Sequence, residues 1–585
     1  MEALVRLSLV VRKEYFLTRS RALIWLAVIT GIGGVFRFYN LGWGAPYYHF
    51  HIDEHFVYQG ADLLRDSIRK AAESPKFFMY SPLPMYLLNV VRVVYEAVFH
   101  TLDLTVPRDE VIYSILGRGI SATVGTATIP VLYAVGARIA GREAGLLAAG
   151  LLACAVIHLR ESHFFSVDVS MTFFAVLCWL FALRLAERGW LRDAVAAGLA
   201  LGGAILCKYS GAFMLAVIGL AYVLSPRRPR WGEPAAAWIR WVAVGLVPII
   251  AAGALFVALD PMMWMYFDKF KDDIRTLVVE PLTGATRPIW TAQFADLSSP
   301  TVYWFTNLLW FGLGPALEIW SLCGLVWLAT RKTRIAWVAL AFPLAYFFSA
   351  GRTIAPFVRY AVPLAPALAM SAAALSADLL KRPRVRLVAI AATGLVVATT
   401  AIYAAAYMNV YREDDSRLEA SKYLRGRVPA GTRILVEPSH NTPPMGSYLT
   451  APSFYQDYVL WRSQEKDDYY HLVSLDVYDL LYKSRNDDEK RKHIQDRLAG
   501  ADYIVMDDTY LQFYEHLPVA QHRVVKQYYR DLMAGRLGFQ LQRTFKVYPS
   551  LFGWDLVDDR AELTFRLFDH PRIFIFRRAA PSRQP

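Results

Sequence analysis

The chain has 585 residues, 55% of them hydrophobic, and a formal net charge of +13. That apolar fraction excludes an ordinary soluble protein of this length. The basic balance does not point to nucleic acid, because Lys and Arg cluster in short loops between apolar runs, where they report membrane topology.

A basic N-terminus (Arg6, Arg12, Lys13, Arg19, Arg21) precedes the first apolar run with no clear cleavage site, so that run reads as a signal anchor. Apolar runs long enough to span, about 20 residues each, recur to about residue 410. Basic loops at Arg138/Arg142, Arg184/Arg188/Arg192, Arg227/Arg228/Arg230, Arg331/Lys332/Arg334 and Lys381/Arg382/Arg384/Arg386 belong inside, with the N-terminus. The spans then fall at 22–40, 113–137, 143–160, 168–187, 193–207, 209–225, 239–259, 303–329, 335–350, 359–380 and 387–409, about eleven crossings with the tail outside. The stretch 82–100 is equally apolar, but a crossing there would invert every later loop, and its Arg92 and Glu96 suit lipid poorly. It is expected as a re-entrant or interfacial helix within one outer loop, 41–112.

The four cysteines, Cys154, Cys178, Cys207 and Cys323, lie in apolar segments without metal-type spacing or a disulfide framework. After residue 410 charged residues and tyrosines become frequent and no run is long enough to span. The expected division is a membrane domain, 1–410, followed by an extracytoplasmic domain, 411–585. In the tail, Ser416–Gly426 has helical periodicity ending on glycine, and Thr432–Glu437 and Tyr503–Met506 read as buried strands. The expected fold class is therefore a polytopic all-α membrane protein with a C-terminal α/β domain.

Three outer segments, 41–112, 158–168 and 260–302, are left for chemistry. In His51-Ile-Asp53-Glu54-His55 an acidic pair opens an amphipathic helix, and Asp168 opens the fourth span on the same side. Each could be a helix cap or a first-turn acid complementing the helix dipole. Two acids at outer helix starts beside aromatics favour a carboxylate held at the membrane face to take a proton from a hydroxyl. Lys208, Arg275, Arg287, Arg352 and Arg359 break the positive-inside bias. Phosphate is the simplest partner for such cations, through charge-assisted hydrogen bonds; headgroup anchoring is the plainer alternative. A divalent metal is a rival reading of the first site, where His49, His51 and His55 cluster with Asp53, while His158 and His163 lie near Asp168; His51, His55 and His163 are the candidate ligands. A proton-coupled transporter is the rival from another class, although the long outer loop, the large tail domain and the lack of broken-helix repeats speak against it.

Four blocks resemble the GT-C superfamily of glycosyltransferases, in the branch of protein O-mannosyltransferases and the lipid A aminoarabinose transferase. They are HIDEHF; Tyr80-Ser-Pro-Leu-Pro84; Arg118 to Asp168; and Arg359-Tyr360-Ala-Val-Pro363-Leu-Ala-Pro366. The resemblance implies a GT-C fold and an inverting transfer at the outer membrane face, from a polyprenyl-phosphate-linked sugar to a lipid, glycan or protein acceptor, with no cofactor. Asp53 would match the loop acid that orients or deprotonates the acceptor, with Glu54 beside it, and Asp168 the second-loop acid. The aminoarabinose transferases carry a lysine just before the proline that opens the loop helix. Here Tyr80-Ser81 stands in that place, and the nearest lysine is Lys76.

Overall fold

In the computed structural model the described residues are 18–45, 51–74, 77–104, 107–439, 441–445, 469–477, 480 and 486–579; His49 and Lys76 lie outside them. Among the described residues five helices are long and apolar enough to cross a membrane: Arg19–Phe38, Arg108–Ala140, Val167–Arg188, Ala235–Leu259 and the continuous stretch Pro383–Arg427. Four shorter apolar helices, Tyr209–Val223, Pro315–Thr330, Arg334–Ala350 and Leu364–Leu379, pack among them. The helical membrane part and the small C-terminal sheet domain agree with the expected fold class.

Two expected spans are interrupted. The stretch 143–160 is two helices, Arg142–Ala153 and Val156–Glu161. A helix end leaves its last carbonyls without partners. Here the buried Arg37 supplies them, donating to Leu152 O and Ala153 O at 3.0 and 3.1 Å. The stretch 303–329 breaks at Gly314, which takes φ 84° before Pro315 starts a new helix. Only glycine adopts that conformation at no steric cost. Elsewhere small residues let helices touch. A Cβ on Gly136 would lie 2.9 Å from Gly145 Cα, and one on Gly324 2.3 Å from Ser371 O, as close packing in lipid requires.

In the segment expected as the first outer loop, the described residues form helices Ile52–Asp66, Ile68–Glu73 and Leu83–Val98. The last has 16 residues, about 24 Å at 1.5 Å per residue, which is short of the hydrocarbon thickness of about 30 Å. The charges that argued against a crossing are used within the loop. Arg92 is buried and meets Glu96 at 2.9 Å and Asp62 at 3.0 Å, and Arg65 takes the other oxygen of Glu96 at 2.7 Å.

The helix Arg386–Arg412 leads to the C-terminal domain. Its sheet has strands β1 (Arg433–Val436), β2 (His471–Ser474), β3 (Tyr503–Asp507), β4 (Phe539–Phe545) and β7 (Ile573–Arg578) in the order β2-β1-β3-β7-β4; β5 (Ser550–Leu551) and β6 (Trp554–Asp555) form a separate hairpin. β1 runs parallel to β2 and β3, while β7 is antiparallel to β3 and β4. The buried Ile434–Val436, Ile504–Met506 and Ile573–Phe576 form the centre, as expected of strands covered on both faces. The helix Ser416–Arg427 and strands β1 and β3 lie where the sequence pattern placed them.

A strap, 558–570, carries this domain into the membrane part. Asn307 donates to Arg560 O and accepts from Glu562 N, both at 2.8 Å. Arg160 donates to Thr564 O and Phe565 O at 2.8 and 3.2 Å and pairs with Asp569 at 3.2 Å. Tyr407 and Tyr411 donate to the same Asp569 at 2.9 and 3.2 Å. Burial disfavours charge on Asp569, but Arg160 and His570 outweigh it and hold the carboxyl down at about 2. The strap is therefore fixed by charge-assisted bonds inside a low-dielectric interface, where such bonds are strong.

Candidate active site

Asp53 stands in the first turn of helix Ile52–Asp66, whose N-cap, His51, makes no side-chain cap. The helix dipole favours an anion there, but the carboxylate serves more than the helix. Tyr80 donates its hydroxyl to one oxygen at 2.5 Å, and Arg359 pairs with the other. Burial, with Asp168 and Tyr360 adding, holds the Tyr80 phenol well above its usual range, so it stays a donor. Tyr80 arrives on the turn Phe77–Met79 just before the loop helix.

Arg359 lies on the 3-10 turn Val358–Ala361, ahead of helix Leu364–Leu379. The turn is held from two sides. Glu562 of the strap accepts from Val358 N at 3.1 Å, and Tyr346 donates to Tyr360 O at 2.6 Å. Among the described residues the Nε of Arg359 is buried without a hydrogen-bond partner, an uncommon and costly state for a guanidinium donor.

Asp168 repeats the pattern of Asp53, in the first turn of Val167–Arg188. Lys208, in extended conformation at the end of helix Leu191–Cys207, donates to it at 2.7 Å. The Lys208 ammonium also lies 4.9 Å from the centre of the Tyr360 ring, a cation–π distance. Tyr360 thus joins two acid–base pairs, Asp53–Arg359 and Asp168–Lys208, whose formal charges cancel. This cluster can hold an anion by exchange: phosphate oxygens compete for the two cations and leave two carboxylates beside them.

Other expected site residues are placed elsewhere. Glu54 is held by other partners: Arg118 donates to both its oxygens at 2.7 and 3.0 Å and Phe165 N donates at 3.0 Å. It ties the outer loop to the long helix Pro107–Ala140. Arg275 is exposed and paired with Asp272 at 2.9 Å on its own helical stretch. Arg287 is exposed, and Arg352 is exposed over the Phe348 ring at 5.4 Å. None of these three meets Asp53 or Asp168, so the expected set of five cations comes together only at Lys208 and Arg359.

The histidines are also dispersed. His51 sits between the rings of Phe164 and Phe568, at 4.7 and 4.1 Å; burial, then Arg160 and Arg359, keeps it neutral. His163 stacks on Tyr411 at 4.0 Å with Nδ1 on Leu159 O at 3.1 Å. His55 is buried beside Phe56. Among the described residues no three His, Cys, Asp or Glu side chains group as a metal site.

Sequence reasoning passed over Tyr80, Tyr360 and Tyr346 as site residues, though the first two stood inside resembling blocks. Glu562 carried no local signal at all.

Residues 117–254 match the family model described as dolichyl-phosphate-mannose-protein mannosyltransferase. The matched stretch contains Arg118, Asp168 and Lys208, and it bears out the GT-C resemblance and the glycosyltransferase reading rather than the transporter. No curated protein matches the chain. Among solved structures the chain is similar to the oligosaccharyltransferase of Archaeoglobus fulgidus in complex with zinc and sulfate (14% identity, TM-score 0.47, 92% of this chain and 74% of that one). It is also similar to ArnT from Cupriavidus metallidurans bound to undecaprenyl phosphate (17% identity, TM-score 0.44, 86% and 96%). A third likeness is to the protein O-mannosyltransferase Pmt1-Pmt2 complex of Saccharomyces cerevisiae bound to its sugar donor (15% identity, TM-score 0.33, 44% and 35%).

Proposed function

We propose that this chain is an integral membrane glycosyltransferase that moves a sugar, with inversion, from a polyprenyl-phosphate-linked donor to an acceptor hydroxyl at the outer face of the membrane. One observation carries the reading: Asp53–Arg359 and Asp168–Lys208 meet around Tyr360, in a chain whose residues 117–254 match a lipid-phosphate-sugar transferase family.

The donor phosphate takes Arg359 and Lys208. The orphan Nε of Arg359 supplies a further hydrogen bond to it. The polyprenyl phosphate leaves without protonation and needs only preorganised positive charge. Drawing Arg359 toward the phosphate removes the cation that neutralises Asp53, so its carboxylate gains basicity when the donor is in place. Asp53 then takes the proton of the attacking hydroxyl, a general-base step worth about 10²–10⁴-fold. Tyr80 holds the carboxylate in line for that proton. Asp168 orients Lys208. Glu54, locked on Arg118, fixes the helix that carries Asp53 and takes no part in the chemistry.

Acceptors in reach of this chemistry are lipid, glycan or protein hydroxyls. The cell membrane is the site of action, with the N-terminus cytoplasmic and the C-terminal domain extracytoplasmic. Single-turnover transfer from a polyprenyl-phosphate sugar by the purified protein, without any ion gradient, tests the reading. Transfer to product supports it; no transfer to any of the three acceptor classes overturns it. Activity lost on chelation and restored by a divalent ion would instead favour metal chemistry at the histidines.

A further inference from the structure

The hairpin β5–β6 presents a run of six exposed residues, 552–557. Four of them are large and apolar: Phe552, Trp554, Leu556 and Val557, with Phe552 92% and Trp554 80% exposed. Asp555 is the one charge in the run. Phe552 takes φ 52° and Gly553 φ 83°, so the turn holds a bulky side chain in left-handed backbone, where such residues are rare. Exposing this much apolar surface on a water-facing domain is unfavourable, at roughly 25 cal/mol per Å², and contiguous apolar patches mark contact sites.

The hairpin's position identifies its partner. It packs on the helix Arg386–Arg412. The large exposed apolar residues of that helix (Leu387, Val388, Ile390, Leu395, Val397 and Ile402) stop at Ile402. From 403 to 411 none of its residues is exposed, because the strap covers it at Tyr407 and residues of the helical part cover it at Tyr403 and Tyr411. Tyr407, bonded to the strap at Asp569, is about 32 Å along the helix axis from Arg386 at 1.5 Å per residue, close to the hydrocarbon thickness of about 30 Å. The chain of Asp569, His570 and Asp558 at 2.7 and 2.9 Å links this level to the base of the hairpin, and Tyr548 on its other arm meets Asp559 at 3.0 Å. The exposed tip thus adjoins the strand that packs on this helix, past the end of the helix's exposed apolar stretch, and aromatic side chains favour the membrane interface.

We infer that the hairpin tip Phe552–Val557 is inserted in the outer leaflet of the membrane as a fixed lipid anchor of the C-terminal domain. Because the strap that starts at Asp558 reaches the Arg359 turn through Glu562 four residues later, the bilayer surface helps set the position of that turn.

The test uses the full-length protein in phosphatidylcholine nanodiscs. Nitroxide labels are placed at Phe552→Cys and, separately, Trp554→Cys, in a Cys323→Ala background, since Cys323 is the exposed native cysteine among the four. A label at Gln521→Cys, exposed on helix Val519–Met533, serves as the aqueous reference. Insertion requires that both hairpin labels collide several-fold more with oxygen and several-fold less with a water-soluble nickel chelate than the reference does. Collision with the nickel chelate equal to the reference, at both sites in monodisperse protein, overturns the inference. Protection from both reagents would mean that protein covers the tip, and would overturn it as well.

Discussion

Glu562, in the C-terminal strap, accepts the backbone N–H of Val358 at 3.1 Å, one residue before the arginine that pairs with Asp53. A side chain 204 residues away therefore fixes the turn that aims the proposed phosphate-binding cation. Glu562→Gln keeps the size but replaces one acceptor oxygen with a donor. The expected result is a donor KM raised about tenfold, equivalent to about 1.4 kcal/mol, with kcat changed less than threefold. An unchanged donor KM would reduce Glu562 to the N-cap of the short helix Leu563–Leu567, where it accepts from Thr564 N.

Asp53→Asn keeps shape and removes charge and basicity. Turnover should fall about 10²-fold or more, as for loss of a general base, at unchanged protein level. Donor binding should hold or tighten, because Arg359 no longer has a carboxylate to leave. Single-turnover transfer and donor titration separate the two effects. Near-normal transfer by this variant removes Asp53 from the mechanism.

The cations divide by location. Arg359→Gln and Lys208→Met should each weaken donor binding at least tenfold. Arg275→Gln, Arg287→Gln and Arg352→Gln should stay within twofold of wild type, since the structure keeps all three away from the cluster. The reverse ranking in a donor titration would relocate the phosphate site to the outer loop 260–302.

Glu54 and Arg118 form a buried pair, with side chains 1% and 3% exposed. Removing one partner leaves the other charge buried and uncompensated, which costs about 3–5 kcal/mol. Glu54→Gln should lower the unfolding midpoint in detergent clearly, while transfer per folded molecule stays within a few-fold. A normal midpoint with transfer lost would return Glu54 to the chemistry.

Glu437, at the end of β1, is buried on the hydroxyls of Tyr528 and Tyr529 at 2.8 Å. Burial raises its carboxyl from 4.5 to about 8 against those bonds. The folded state thus binds the proton more tightly than the unfolded state, so this group's contribution is full below pH 4.5 and is lost as pH rises through about 8. The C-terminal domain should become easier to unfold between pH 6 and 8.5. Glu437→Gln should flatten that slope, as read by urea unfolding across the range.

The membrane architecture was legible because apolar run length and loop charge are local properties. Loop-charge parity, supported by Arg92 and Glu96, keeps 82–100 from reading as a crossing. The interrupted spans were not legible, because the cause of the first is Arg37, 115 residues from the carbonyl at Leu152 that it caps. Parity places Arg275, Arg287 and Arg352 on the same side as Asp53 but says nothing of where on that side they lie. Lys208 and Arg359 meet the acids because each ends or begins a helix in the bundle. Tyr80 and Tyr360 escaped notice as site residues because tyrosines beside membranes are commonplace, and Glu562 because it acts across two domains.

The bond between Glu562 and Val358 has a consequence for the life of the protein. Ribosomes add about 5–20 residues per second, so the 204 residues between the two partners take about 10–40 s to make. During that interval every helix that carries an acid or a cation of the cluster already exists, but the Arg359 turn lacks its second support. The enzyme is thus born unfinished. It gains its final geometry only when the tail has been made and has folded back onto the helices that preceded it.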